Sequence, residues 1–398
     1  MTTFKILKFQ AFKKIYKIEL LFIFKLFLIL EYYYLYSDIQ LKRFIYNARN
    51  GFVNDPKKQF YKSDKPKISI IIAIYNAEGY IQNALLSIQN QDFKDIEIIM
   101  VDDFSQDNSV ALIKELIKKD PRILLFQNTE NKGTLFTKTR GVLLSKGKYV
   151  MILDQDDMYI QSNALSILYR IIERKKLDIL GFSAIIGNFN LTKKNFYNYF
   201  KTPILYQPNI SRKMYIHKKS GKILRVGGII WVFIYKSDLF KKIINQIDDK
   251  ILNTKMIGYE DYILFFLLTR NAYNFYQIKK IFYFKIQWNS SPKIEFSKKQ
   301  KKENFINAGC QSALNYIEFL LIKTNNNTND KRIASYELEH YYFNTSCWKN
   351  KHFLERGRNV CKLFLANKYI KNDIKYKIFN FLNKTNDNNS PNIHLIKK

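Results

Sequence analysis

Two stretches decide how this chain folds: Ile98-Ile99-Met100-Val101-Asp102-Asp103-Phe104-Ser105-Gln106-Asp107 and Tyr149-Val150-Met151-Ile152-Leu153-Asp154-Gln155-Asp156-Asp157. Each begins as an apolar, partly β-branched run of strand length and stops at a knot of carboxylates, the pattern of a buried strand with a polar end. Carboxylates at the carboxyl ends of neighbouring strands sit where open α/β sheets place nucleotide and metal sites. The chain carries 66 Lys and Arg against 34 Asp and Glu, a formal net charge of +32, so two acidic knots stand out from their background. They point to an enzyme that handles a nucleotide-bearing substrate with a divalent metal.

Working outward, Ile68 to Ile74 reads as a further buried strand. A helix follows over about Gly79 to Gln89, with Ile81, Leu85, Leu86 and Ile88 on one side. Asp107 has the type and position of an N-cap for a helix carrying Val110, Leu112, Ile113, Leu116 and Ile117. Ile123–Gln127 reads as a strand, Thr134–Ser145 as a helix and Tyr149–Leu153 as a strand. Strands alternating with helices imply βαβ units, hence an α/β fold with a mainly parallel sheet flanked by helices. Residues 158–290 mix helices with short strands, as at Asp178–Phe182 and Gly228–Tyr235. Residues 300–370 read as helical, with Ala313, Tyr316, Ile317, Phe319, Leu320 and Leu321 forming an apolar stripe. The divisions expected are an N-terminal helix within 1–37, a linker or stem at 38–66, a catalytic domain at 67–295, a helical region at 296–383 and a frayed tail at 384–398. Within the catalytic domain, 67–160 would bind the donor and 161–295 would complete the acceptor side.

Composition narrows the class. With 47% hydrophobic and 16% aromatic residues, most of the chain has the means to fold. The basic excess comes with inflated Asn, Ile, Phe and Tyr, as AT-rich codons produce; the lysines are scattered and no recognition motif accompanies them, so no nucleic-acid partner is expected. Cys310, Cys347 and Cys361 match neither a zinc spacing nor a disulfide framework. At the N-terminus, Lys5, Lys8, Lys13, Lys14 and Lys17 precede the apolar run Ile18–Leu30, and Tyr32-Tyr33-Tyr34 follows. That order suits a membrane anchor with a lumenal catalytic domain, and the sequons at Asn190, Asn209, Asn289, Asn326 and Asn344 would allow one. Lys25 inside the run costs about 2.5–3.5 kcal/mol in a span, which leaves an interfacial helix as the other membrane reading.

Four sites carry the chemistry. Asp154 and Asp156, one residue apart beyond a strand, can reach one hard cation such as Mn²⁺ or Mg²⁺, or the cation and a ribose. Asp103 can accept from a ribose hydroxyl or a base imino proton, and Tyr75, directly after the first strand, can stack on a nucleobase. Glu260-Asp261 opens an apolar helix, either as dipole partners or with a general base facing the metal site.

Taken together in order, these segments resemble glycosyltransferase family 2, over about Lys67 to Ser291. The shared pattern is Tyr75-Asn76, Val101-Asp102-Asp103-x-Ser105-x-Asp107, Asn131-Lys132-Gly133, Gly141, Gly147-Lys148-Tyr149, Asp154-x-Asp156-Asp157, Glu260-Asp261 and the stretch from Tyr283-Phe284-Lys285 to Ser290-Ser291. The resemblance implies a GT-A fold and a metal-dependent, inverting transfer of a sugar from a nucleoside diphosphate donor, usually UDP-linked, to a hydroxyl on a glycan, glycolipid or glycoprotein. It implies that Tyr75 and Asp103 hold the base, that Asp154 contacts ribose or metal, that Asp156 ligates the metal, and that Asp261 deprotonates the acceptor. Where the family commonly shows Ala-Arg-Asn, this chain has Thr137-Lys138-Thr139; Lys138 keeps a charge near the diphosphate without a planar fork. No Gln-x-x-Arg-Trp segment follows Glu260-Asp261, so one sugar per encounter is expected rather than polymer synthesis. Trp231 falls where such enzymes often line the acceptor pocket. Two rivals remain at this stage: a non-catalytic sugar-nucleotide or glycan binder, and a nucleotidyltransferase, which would need a phosphate-cradling loop that the first strand's end lacks.

Overall fold

A computed structural model of the chain describes residues 60–187, 229–256, 259–286, 311–312, 314–320 and 351–365, with a few more between 375 and 382. The apolar run Ile68–Ile74 (β1) and its partner Ile96–Asp102 (β2) lie inside an eight-stranded sheet, and nearly every residue in both is buried. Near-continuous apolar strands are what a parallel sheet covered on both faces requires. The remaining strands are Ile123–Gln127 (β3), Tyr149–Ile152 (β4), Met158–Tyr159 (β5), Ile179–Gly187 (β6), Phe233–Lys236 (β7) and Phe275–Ile286 (β8). Their order across the sheet is β3-β2-β1-β4-β7-β6-β8-β5.

The first half is parallel throughout: β1 pairs with β2 and with β4, and β2 with β3. The second half is mixed, because β7 runs antiparallel between β4 and β6 while β6 and β8 are parallel to each other. Helices Ile81–Gln89 (α1), Ser109–Lys119 (α2) and Thr134–Leu144 (α3) make the crossovers of the parallel half. Ala164–Arg174 (α4), Ser237–Ile244 (α5), Asp249–Leu252 (α6) and Glu260–Asn271 (α7) serve the rest, and Lys351–Leu365 (α8) lies beyond the sheet.

Two details correct the elements read from sequence. Helix α2 starts at Ser109 after Asn108 rather than on an Asp107 cap, although the Asp107 carboxylate still accepts from Ser109 N at 3.0 Å. Strand β7 is short, four residues beginning at Phe233, because Ile229 and Trp231 lead to it outside the ladder and line a cavity instead. The base of the sheet is tied by a buried acid: Glu97 Oε1 accepts from Ser69 Oγ at 2.5 Å, Lys146 N at 2.6 Å and Gly147 N at 3.1 Å. From the C-terminal region, Tyr316 packs against Tyr262 with ring centroids 5.6 Å apart; Tyr316, Ile317, Phe319 and Leu320 are buried, as the apolar stripe predicts, and so is Leu314, outside that stripe.

The chain leaves β1 toward β2 and β3 on one side and returns through α3 to β4 on the other. That reversal opens a crevice at the carboxyl ends of β1 and β4, the place where such sheets bind ligands. Among the described residues no helix is long and apolar enough to cross a membrane; the N-terminal run at 18–30 lies outside them, as do Cys310 and Cys347.

Candidate active site

A cavity of about 580 Å³ fills that crevice. Tyr75, Asp103, Lys138, Asp154, Asp156, Trp231, Glu260 and Asp261 all line it, so every candidate residue reaches one space.

Three loops build one end of the cavity. After β1, Tyr75 N donates to Gln155 Oε1 at 2.8 Å and Gln155 Nε2 donates back to Tyr75 O at 3.1 Å, which locks the ends of β1 and β4 together. Tyr75 itself stays part-exposed at 37%, leaving its ring available for stacking. Asn76 has a left-handed φ of 49°, and its side-chain carbonyl accepts from Gln106 N at 2.9 Å, joining this loop to the one after β2. Asp103 is buried, and its carboxylate accepts from Asn128 Nδ2 at 2.7 Å, Lys132 N at 2.8 Å and Gly133 N at 2.8 Å. It thereby fixes the entry to α3, where Gly133 has φ 86° and a Cβ would sit 3.2 Å from the Lys255 backbone. A carboxylate can accept about four bonds, so Asp103 keeps one acceptor position beyond this structural duty.

Helix α3 presents Thr134, Thr137 and Lys138 to the cavity, the i, i+3 and i+4 positions of one face. Thr137 and Thr139 turn their hydroxyls onto backbone carbonyls of Gly133 and Leu135, four residues back, at 2.9 Å each. Lys138 alone of that triplet reaches out, and its Nζ lies 2.9 Å from Asp261 Oδ1, 3.2 Å from Asp154 Oδ1 and 3.8 Å from Glu260 Oε1. These carboxylates hold the Lys138 ammonium well above its ordinary pKa in spite of its burial. Burial, with Glu260 and Asp154 adding to it and Lys138 opposing, pushes Asp261 up to about 7.

Sequence reading missed a second network. Lys285 Nζ, from the end of β8, lies 3.3 Å from both Asp154 Oδ2 and Asp157 Oδ2. Burial of Asp154 would raise its pKa, but Lys138 and Lys285 together win and hold it at about 2. Asp157 is fully buried and structural: it accepts from Tyr283 Oη at 2.8 Å and from Ile286 N at 2.8 Å, tying β8 to the acidic turn. Burial first, then Asp154 and Asp156, push it up to about 7 against Lys285. The available signal was that Tyr283 and Lys285 share one strand face. Trp231 touches the cavity but packs as core, stacked on Tyr283 with centroids 4.6 Å apart and with Lys285 Nζ 5.1 Å from its ring centroid. Tyr259 and Tyr262 join Ile229 in lining the cavity beside Asp261.

Residues 69–242 match the model of Glycosyl transferase family 2. They form a glycosyltransferase family 2 domain. A glycosyltransferase of Haemophilus influenzae is 41% identical over 92 residues, which cover 23% of this chain and 37% of that relative. The GalNAc(5)-diNAcBac-PP-undecaprenol beta-1,3-glucosyltransferase of Campylobacter jejuni is 38% identical over 130 residues, 32% of this chain and 42% of that relative. The chain thus spans well under half the length of these relatives. Among solved structures, Staphylococcus aureus TarS 1-349 in complex with UDP-GlcNAc superposes with a TM-score of 0.55 at 16% identity, covering 78% of this chain and 83% of that one. The eight-stranded mixed sheet of the glycosyltransferase domain is accordingly a GT-A fold.

Proposed function

We propose that the protein transfers one sugar per encounter from a nucleoside diphosphate donor, UDP-linked, to a hydroxyl on a glycan, glycolipid or glycoprotein, with inversion at the anomeric carbon. One observation carries the reading: Asp103, Asp154, Asp156 and Asp261 line a single cavity at the switch point of a glycosyltransferase family 2 domain. A UDP-linked donor is supported by the fold likeness to TarS, whose structure holds UDP-GlcNAc.

In this reading Tyr75 stacks on the base and Asp103 offers it the remaining acceptor position. The acceptor enters on the side of Tyr259, Tyr262 and Trp231. Its hydroxyl oxygen attacks the anomeric carbon from the face opposite the diphosphate, and Asp261 takes the hydroxyl proton. The bond from that carbon to the diphosphate oxygen breaks, and its electron pair leaves with the nucleoside diphosphate. A base titrating near 7 is matched to proton transfer at neutral pH.

Mn²⁺ or Mg²⁺ is commonly held by one or two carboxylates with substrate phosphates completing the shell. The residues fit that pattern. Among the described residues no group of three or more acid, His or Cys side chains could hold an ion unaided. Asp156 is half-buried and lines the cavity, whereas Asp154 faces a lysine at each oxygen. Asp156 would hold the ion, and Asp154 would share it or take the ribose. When bound, the ion would neutralise charge on the departing diphosphate.

The test is release of UDP from a panel of UDP-sugars with Mn²⁺ and candidate acceptors, by wild type and by Asp261→Asn. The proposal expects turnover in wild type and none in the variant, with UDP affinity unchanged. UDP binding without turnover on any acceptor would favour the non-catalytic binder instead.

A further inference from the structure

We infer that Lys138 is a positioning residue for the general base: its ammonium holds the Asp261 carboxylate in place and does not grip the donor's diphosphate. The inference rests on the transfer reaction proposed above and assigns a device within it.

The geometry is specific. Helix α3 is fixed at both ends of the relevant segment, by the Gly133 N–H on Asp103 and by Gly141, where a Cβ would lie 2.4 Å from Ile71 Cγ2. Lys138 therefore projects from a rigid base, and its side chain is 4% exposed. An ammonium has three N–H donors. Nζ has Asp261 at 2.9 Å and Asp154 at 3.2 Å within hydrogen-bonding reach, with Glu260 next at 3.8 Å. Two of its three donors thus have protein acids within reach. A guanidinium here, with five donors in a planar fork, could serve a carboxylate and a phosphate together; an ammonium already met by Asp261 and Asp154 has one donor left. The Thr137-Lys138-Thr139 departure from the family pattern therefore changes the task of this position.

Among the described residues, the other charged or titratable groups facing Asp261 are acids or a neutral phenol. Glu260 adjoins it on α7, with Oε2 buried and lacking a hydrogen-bond partner among the described residues. Asp154 comes from the end of β4. Tyr235 comes from β7, its buried hydroxyl donating to Ile230 O at 3.0 Å. Lys138 is the cation of this set, so its removal leaves Asp261 among repelling neighbours.

The experiment compares wild type, K138M and K138R in acceptor-dependent UDP release across pH, with UDP affinity measured by calorimetry. Loss of an adjacent opposite charge moves a carboxylate by about one to three pH units. The acid limb of kcat in K138M should therefore move up by at least about one unit, with kcat at pH 7 falling roughly fivefold or more. UDP affinity should stay within about threefold, and K138R should return the limb toward wild type. A loss of UDP affinity of about tenfold or more with an unmoved limb overturns the inference and gives Lys138 to the diphosphate. Should K138M not fold, as judged by its melting curve, K138Q carries the same expectations. Wild-type protein that turns over no donor sinks the transfer reaction and this inference together; wild-type turnover with an unmoved limb in the variant sinks this inference alone.

Discussion

Replacing Asp103 by Asn would leave one carbonyl oxygen where two carboxylate oxygens now accept three hydrogen bonds. If that oxygen takes the Oδ1 position, the bonds from Asn128 Nδ2 and Lys132 N survive, and the new NH₂ faces the Gly133 N–H. One charge-assisted bond is lost and one buried donor meets another. Either loss alone is worth about 1–3 kcal/mol, so Asp103→Asn should cost about 2–3 kcal/mol. The opposite amide orientation orphans two donors and is worse. Asp103→Ala removes all three acceptances and should cost about 3–6 kcal/mol, a large part of the roughly 5–15 kcal/mol that holds a domain folded. Urea unfolding followed by circular dichroism measures the difference, as a lower midpoint at constant slope. UDP affinity should fall in both variants, because Thr134 lines the cavity at the helix start that Asp103 fixes through Gly133 N. An unchanged midpoint in Asp103→Asn, or equal midpoints for Asn and Ala, would refute the reasoning.

Three further outcomes follow from the same structure. Asp261 is pushed up to about 7 chiefly by burial, so it is neutral and inactive as a base below that pH; kcat should rise with pH through about 7, and a profile flat from pH 5 to 9 would contradict its role. Gly141→Ala would normally favour a helix by roughly 0.5–1 kcal/mol, yet a Cβ would lie 2.4 Å from Ile71 Cγ2 and 3.3 Å from Val101 Cγ2. A net loss of about 1–3 kcal/mol, seen as a lower melting temperature, is expected. Tyr283→Phe removes the hydroxyl that donates to Asp157 and accepts from Asp154 N at 3.2 Å. It should cost about 1–3 kcal/mol and weaken donor binding by loosening the Asp154 turn, with stability and UDP affinity as the two readouts.

The parallel half of the sheet was legible in the sequence because Ile68–Ile74, Ile98–Val101 and Tyr149–Leu153 are buried on both faces and therefore almost continuously apolar. The acidic knots were legible because carboxylates directly after such strands stand at a sheet's edge. What escaped depends on contacts distant in sequence. Nothing local announces that β7 inserts antiparallel between β4 and β6, since four residues carry too little pattern. Asp157 looked equivalent to its neighbours, and Tyr283 and Ile286, 126 and 129 positions away, show that it is a structural anchor. Lys285 was visible as part of a closing segment, but its contact with Asp154 depends on where β8 ends. Lys138 was read as a charge near the diphosphate, and the sequence could not show that its ammonium also lies 2.9 Å from Asp261, 123 positions away.

The central claim is that one nucleoside diphosphate, with its metal, occupies the cavity between β1, β4 and α7. Calorimetric titration of UDP into wild type and Asp156→Asn, with and without Mn²⁺, tests it most directly. The account predicts one UDP per chain, an affinity raised by roughly tenfold or more by Mn²⁺ in wild type, and loss of that enhancement in Asp156→Asn. No UDP binding to wild type, or an equal Mn²⁺ effect in both proteins, would contradict it.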